Sequence, residues 1–326
     1  MGEFELLARV RERLPAPGPR VRLGMGDDAA ITVPGGATAT SVDAIVEGVH
    51  FSREHCDAGT IGRKALAVAL SDLAAMGAEP GEAYVVLGVP PGMGEEECME
   101  LIDGTTALAA ETGTTLAGGD VTRAPALTVA VTVVGHAADP ERFVTRAGAR
   151  PGEALVLTGE VGGAAAGLLL LERPELAAAV TPAIAERLRA RQVAPRPQLG
   201  AGRALAAAGA TAMIDLSDGI GGDALRLAEE SGAGLRIDTS ALPIADGVIE
   251  VAAAAGRNPL QLATSGGEDY ELLAAVPPER LDEAAAAVGA AGATLARVGE
   301  TIAGAGVEIK LPDGRRLEAE GFDQLS

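Results

Sequence analysis

The chain has few aromatic residues, lysines or cysteines and no long apolar run, and each shortage closes off a class of function. No tryptophan, two tyrosines and four phenylalanines occur in 326 residues, so few rings are available to stack on nucleic-acid bases. Lys64 and Lys310 are the only lysines, 46 acidic side chains outnumber 26 basic ones, and the formal net charge is −20. That balance argues against nucleic acid or an anionic membrane as a partner. If such a chain takes an anionic substrate, cations must sit between the two; acidity alone also serves solubility. Cys56 and Cys98 form neither a disulfide framework nor a C-x-x-C metal pattern, which fits a reducing cytoplasm. Met1 to Leu14 is charged throughout and has no signal-peptide core, and the longest apolar stretch, Ala164 to Leu171, is far too short to cross a bilayer. There is no G-x-x-x-x-G-K-[ST] phosphate loop, no protein-kinase motif set and no G-x-S-x-G elbow.

Hydrophobic residues make up 48% of the chain, so a large core is affordable, and the length suggests two domains. Periodicity predicts helices over Glu3–Arg13, Thr60–Met76 and Glu95–Glu111. Strands are expected at Val21–Leu23, Ala37–Asp43, Glu82–Val89, Thr114–Ala117 and Leu127–His136. The polar stretch from Ala137 to Glu153 reads as a linker, giving domains 1–138 and 139–326. A second alternating pattern follows, with strands at Ala154–Thr158, Thr211–Leu216, Leu272–Val276, Leu295–Val298 and Val307–Leu311. Its helices are Gly163–Glu172, Ile184–Gln192, Gln198–Ala208 and Gly222–Ser231. Alternation of this kind indicates an α/β or α+β class.

The positive signal is a series of aspartates where apolar runs end, most of them beside glycine or serine. They are Gly26-Asp27-Asp28, Ser41-Val42-Asp43, Ser71-Asp72, Gly118-Gly119-Asp120 and Asp215-Leu216-Ser217-Asp218-Gly219; Ser265-Gly266-Gly267-Glu268-Asp269-Tyr270 has the same character. Carboxylates with small neighbours suit a Mg²⁺–nucleotide site, although any one such pair is by itself a turn signal. Asp72 lies inside a strong helix former, where aspartate costs several tenths of a kcal/mol, on the order of the propensity scale. It reads either as a cap of a second helix or as a ligand projecting from a buried one. Asp218 reads as an N-cap or as a partner of Asp215. The run Thr158-Gly159-Glu160-Val161-Gly162-Gly163 reads as a phosphate cradle or as strand-to-helix packing.

In this order, these segments resemble the thiamine-monophosphate kinase family over nearly the whole chain. The resemblance also takes in Val49-His50-Phe51, Ala65 to Ala78, Val121-Thr122-Arg123, Arg146-Ala147-Gly148 and Gly321-Phe322-Asp323. It implies the two-domain aminoimidazole ribonucleotide synthetase-like fold, with an N-terminal α/β domain forming a barrel across a homodimer and a C-terminal α/β domain. It implies ATP-dependent phosphorylation of thiamine monophosphate to thiamine diphosphate with several Mg²⁺ ions. It assigns metal roles to Asp28, Ser41, Asp43, Asp72, Asp120, Asp215 and Asp218, with the Val42 carbonyl joining them. ATP contacts fall on Gly119, Asp120, Arg146 and Ser217, and thiamine-monophosphate contacts on His50, Glu268 and Phe322, while Asp27 and Asp269 are assigned no ligand role. Two other readings compete. One is a sister enzyme, such as selenophosphate synthetase, which needs a reactive Cys near the N-terminus, or aminoimidazole ribonucleotide synthetase. The other is a non-catalytic acidic metal-binding scaffold.

Overall fold

A computed structural model of the protein describes residues 3–25 and 29–317. Asp27, Asp28 and Phe322 lie outside the described residues. Two compact units are present, Met1–Leu73 with Ala78–Pro140, and Ala74–Gly77 with Glu141–Ser326. Among the described residues no helix is long and apolar enough to cross a membrane.

The first unit runs α1 (Glu3–Arg13), β1 (Val21–Leu23), β2 (Ile31–Thr32), β3 (Ala37–Val46), α2 (Ala58–Ala75), β4 (Glu79–Val89), α3 (Glu95–Thr112), β5 (Thr115–Arg123) and β6 (Thr128–Ala137). β3, β6, β4 and β5 form a sheet in that spatial order, antiparallel except for the β4–β5 pair. Alternation sorts its two faces. Val85, Leu87, Val129, Val131 and Val133 are buried, while Val42 and Val86 on the other face are 65% and 41% exposed. β5 does not stop at Ala117 as expected; it carries Gly118, Gly119 and Asp120 within it. The pairing with β4 shifts at Ala117, which is passed over between Ala83↔Leu116 and Tyr84↔Gly118, and both glycines then pair in register.

The second unit contains β7 (Ala154–Thr158), α4 (Gly163–Glu172), α5 (Pro182–Val193), α6 (Leu199–Ala207), β8 (Ala212–Asp215), α7 (Ile220–Ser231) and β9 (Gly234–Asp238). It continues with α8 (Val248–Ala255), α9 (Pro259–Ser265), β10 (Leu272–Val276), α10 (Leu281–Ala290), β11 (Leu295–Ile302), β12 (Val307–Lys310) and β13 (Arg316–Leu317). The seven strands form a mixed sheet in the order β13-β12-β9-β11-β7-β10-β8. Its core includes Leu155, Leu157, Ile214, Leu235, Ile237 and Leu273. A smaller cluster, including Leu170, Leu188, Val248 and Val251, joins α4, α5 and α8. β7, β8 and β10 are buried along their whole length, so their apolar runs are continuous rather than alternating.

Candidate active site

In the first unit, strand pleating puts Ser41 and Asp43 on one face of β3 and Val42 on the other. α2 is one unbroken helix through Ser71 and Asp72, so neither residue caps a second helix. Ser71 is buried and Asp72 half-buried; the Ser41 hydroxyl donates to the Asp72 carboxylate, which joins the strand to the helix. His50 follows β3. The Val46 amide donates to its Nδ1 at 3.1 Å, so the neutral ring carries its N–H at Nε2. The carbonyl of His50 accepts from the buried ammonium of Lys64 at 3.0 Å. Gly119 and Asp120 on β5 border a small, open apolar cleft lined by Leu6, Leu7, Val10 and Met25.

In the second unit, Asp215 ends β8 and Asp218 precedes α7, whose N-cap is Gly219, so Asp218 is not the cap. Its carboxylate instead meets Arg226 at 3.2 Å. Asp223, in the first turn of α7, accepts the Asp218 N–H at 3.0 Å. Burial, then the charges of Asp215 and Asp218, push the Asp223 pKa up to about 8. Sequence reasoning missed Asp223, because it lies inside α7 rather than at the end of an apolar run. Arg146 is exposed, and its carbonyl accepts from Ser231 at the far end of α7.

Glu268 and Ser217 do come together. The Glu268 N–H donates to the Ser217 carbonyl at 2.9 Å, the Tyr270 N–H to the Leu216 carbonyl at 2.9 Å, and the Leu216 N–H to the Glu271 carbonyl at 2.8 Å. Gly267 permits this approach: a Cβ there would stand 2.4 Å from the Ser217 carbonyl oxygen. Gln192 on α5 donates to the Glu268 carboxylate. The glycine run after β7 is not open to a phosphate. The Asp269 carboxylate already lies there, accepting from the Gly162 and Ala164 amides at 2.6 and 3.0 Å.

The carboxylates, the Ser41 hydroxyl and the backbone carbonyls among these groups offer oxygen, a donor set suited to a hard cation such as Mg²⁺ rather than to zinc or copper. Among the described residues no three Asp, Glu, His or Cys side chains already surround a common point. The crowding of Asp215, Asp218 and Asp223 is nevertheless what a bound cation relieves, and Mg²⁺ in phosphate-transfer sites takes one or two carboxylates plus waters and substrate phosphates. The residues therefore fit Mg²⁺ arriving with a nucleotide better than Mg²⁺ in a closed protein cage.

Residues 26–137 match the sequence model of the AIR synthase related protein N-terminal domain, and residues 150–312 that of the AIR synthase related protein C-terminal domain. The thiamine-monophosphate kinase of Halobacterium salinarum is 35% identical over 298 residues, 91% of this chain and 93% of that protein. The crystal structure of thiamine-monophosphate kinase from Stenotrophomonas maltophilia K279a superposes with a TM-score of 0.85 at 34% identity, covering 98% of each chain. AaThiL complexed with AMPPCP and TMP superposes with a TM-score of 0.76 at 29% identity, over 87% of this chain and 86% of that one.

Proposed function

Because the chain belongs to the thiamine-monophosphate kinase family of AIR synthase related proteins, we propose that it transfers the terminal phosphoryl group of ATP to thiamine monophosphate, giving ADP and thiamine diphosphate. The observation that carries this reading is the ordered series of carboxylates in a chain that matches such kinases from end to end. The acceptor is a phosphate monoester with a second pKa near about 6, so it is largely deprotonated at neutral pH. A general base is then unnecessary, and none is assigned. What the protein must do is align two polyanions and offset their charge. The transfer is direct and in line, with no phospho-enzyme.

Asp28, Ser41, the Val42 carbonyl, Asp43, Asp72, Asp120, Asp215 and Asp218 are the groups that would hold Mg²⁺, and Asp28 lies outside the described residues. When bound, Mg²⁺ supplies positive charge at the phosphate oxygens. Gly119, Asp120, Arg146 and Ser217 contact ATP, Arg146 by charge-assisted hydrogen bonds to phosphate. The Nε2–H of His50 faces the acceptor, and Glu268 lies against the cationic thiazolium, with Phe322, also outside the described residues, as its aromatic neighbour. The open face of the β3-β6-β4-β5 sheet, with Val42 and Val86 exposed, is the surface by which two copies pair.

The test is incubation with MgATP and thiamine monophosphate, following ADP and thiamine diphosphate by chromatography. Equal amounts of both products support the reading. ATP use with a different acceptor would transfer the chain to a sister synthetase, and Mg²⁺ binding without turnover would make it a scaffold.

A further inference from the structure

The segment between α9 and β10 is held in a conformation that the chain does not favour by itself. Glu268 and Tyr270 have φ of 68° and 51°, the left-handed region where a side chain other than glycine, asparagine or aspartate is disfavoured. Two such residues flanking a single one are both strained, so the surroundings must impose the geometry. The residue between them supplies the reason. The Asp269 side chain enters the start of α4, where the Gly162 and Ala164 amides donate to its two oxygens and the Gly163 amide faces it as well. Those are helix N-terminal donors that have no partner within the helix, and a carboxylate there is favoured by the helix dipole. The Glu268 carboxylate meets Gln192 on α5, while its own N–H donates to the Ser217 carbonyl. Next along, Glu271 accepts from the Thr158 hydroxyl at 2.7 Å, closing the strap onto the end of β7.

We propose that Asp269 is the positioning residue of the acceptor site: its carboxylate, plugged into the N-terminus of α4, fixes the left-handed strap that presents Glu268 to the thiazolium of thiamine monophosphate and holds it in register with Ser217 on the nucleotide side. The inference rests on the kinase reading above. Asp269 touches neither substrate. It acts through Glu268, and the internal anion it provides is why the glycine run after β7 does not take up a phosphate of either substrate.

Steady-state kinetics of the full-length protein, varying each substrate separately, test this. Asp269→Asn keeps the shape but faces one amide donor with another. It is expected to raise the KM for thiamine monophosphate at least about tenfold while kcat and the KM for ATP stay within about twofold. Because Asp269 acts through Glu268, the same substitution in a Glu268→Ala background is expected to add less than a further twofold. Effects on that KM that multiply in the double variant, an unchanged KM for thiamine monophosphate, or an equal rise in both KM values would overturn the proposal. If Asp269→Asn does not fold, Gln192→Leu removes the second hold on the same Glu268 carboxylate. It is expected to show the same acceptor-specific rise, again absorbed by Glu268→Ala; no rise in KM would count against a fixed Glu268. Failure of the unaltered protein to phosphorylate thiamine monophosphate would instead sink the kinase reading, and does so in an experiment without any of these variants.

Discussion

Burial sets the chemistry of Glu271. Its side chain is 5% exposed, and loss of water pushes its pKa up to about 7, against the pull of the Thr158 hydrogen bond and the Arg191 charge and with the push of Asp269. Between its ordinary value and about 7, the folded protein keeps a proton that the unfolded chain has released. Stability contributed by this group is therefore full at low pH and is lost as pH rises through 7. Thermal melts of the metal-free protein and of Glu271→Gln should show the native chain losing more stability than the variant between about pH 5 and pH 8, by roughly 3 kcal/mol for a shift of this size. Parallel pH profiles would show that the carboxyl is not carrying a buried proton. This property is invisible in the sequence, where Glu271 is simply an acid before an apolar run; only the packing of β7 against β10 removes its water.

Helix α2 delivers Asp72 to Ser41; Ile61, Leu66, Leu70 and Leu73 bury its apolar face, and glycines set how closely it approaches α3. A Cβ on Gly62 would lie 2.0 Å from the Leu101 carbonyl oxygen, and one on Gly104 would lie 1.9 Å from that of Gly59. α2 and α3 thus touch backbone to backbone. Gly104→Ala is expected to lower stability by about 1–3 kcal/mol, as overpacking does, read as a lower melting temperature; an unchanged melting temperature would mean that the helices can part without cost. Elements bounded by strong punctuation were legible in sequence. β7, α4 and β10 match their expected limits to the residue, because apolar runs stop at Gly159, at Glu172 before Arg173-Pro174, and at Pro277. β9 and helices α8, α9 and α10 carried no expectation. In α8 and α10 runs of alanine blur the contrast between faces that a periodicity argument needs.

For the molecule as a whole, charge and symmetry make the remaining claims. A face with Val42 and Val86 exposed predicts a twofold dimer, so sedimentation should give about twice the 32.5 kDa chain mass, and Val86→Arg should give the single chain. A native monomer would refute the pairing. The candidate site was legible as a list of residues, since the aspartate segments stand out at the ends of apolar runs. Its connections were not. The strap held by Asp269 depends on a contact between segments far apart in the chain, while the Lys64 ammonium under His50 and the Asp223 carboxylate at the Asp218 amide depend on how nearby turns fold back. In the proposed reaction, cations held by the chain's own carboxylates offset the charge of the two phosphate-bearing substrates, and Asp72 is the residue on which that proposal is most exposed. The decisive measurement is the rate of thiamine diphosphate formation from MgATP and thiamine monophosphate by the native chain and by Asp72→Asn, side by side across a Mg²⁺ titration. The account predicts one thiamine diphosphate per ADP from the native chain. For a variant that still melts cooperatively, it predicts a fall in kcat of roughly 10²–10³-fold, the scale of losing one electrostatic contact to the transferring group. Native-like turnover by Asp72→Asn, or no thiamine diphosphate from the native chain, would contradict it.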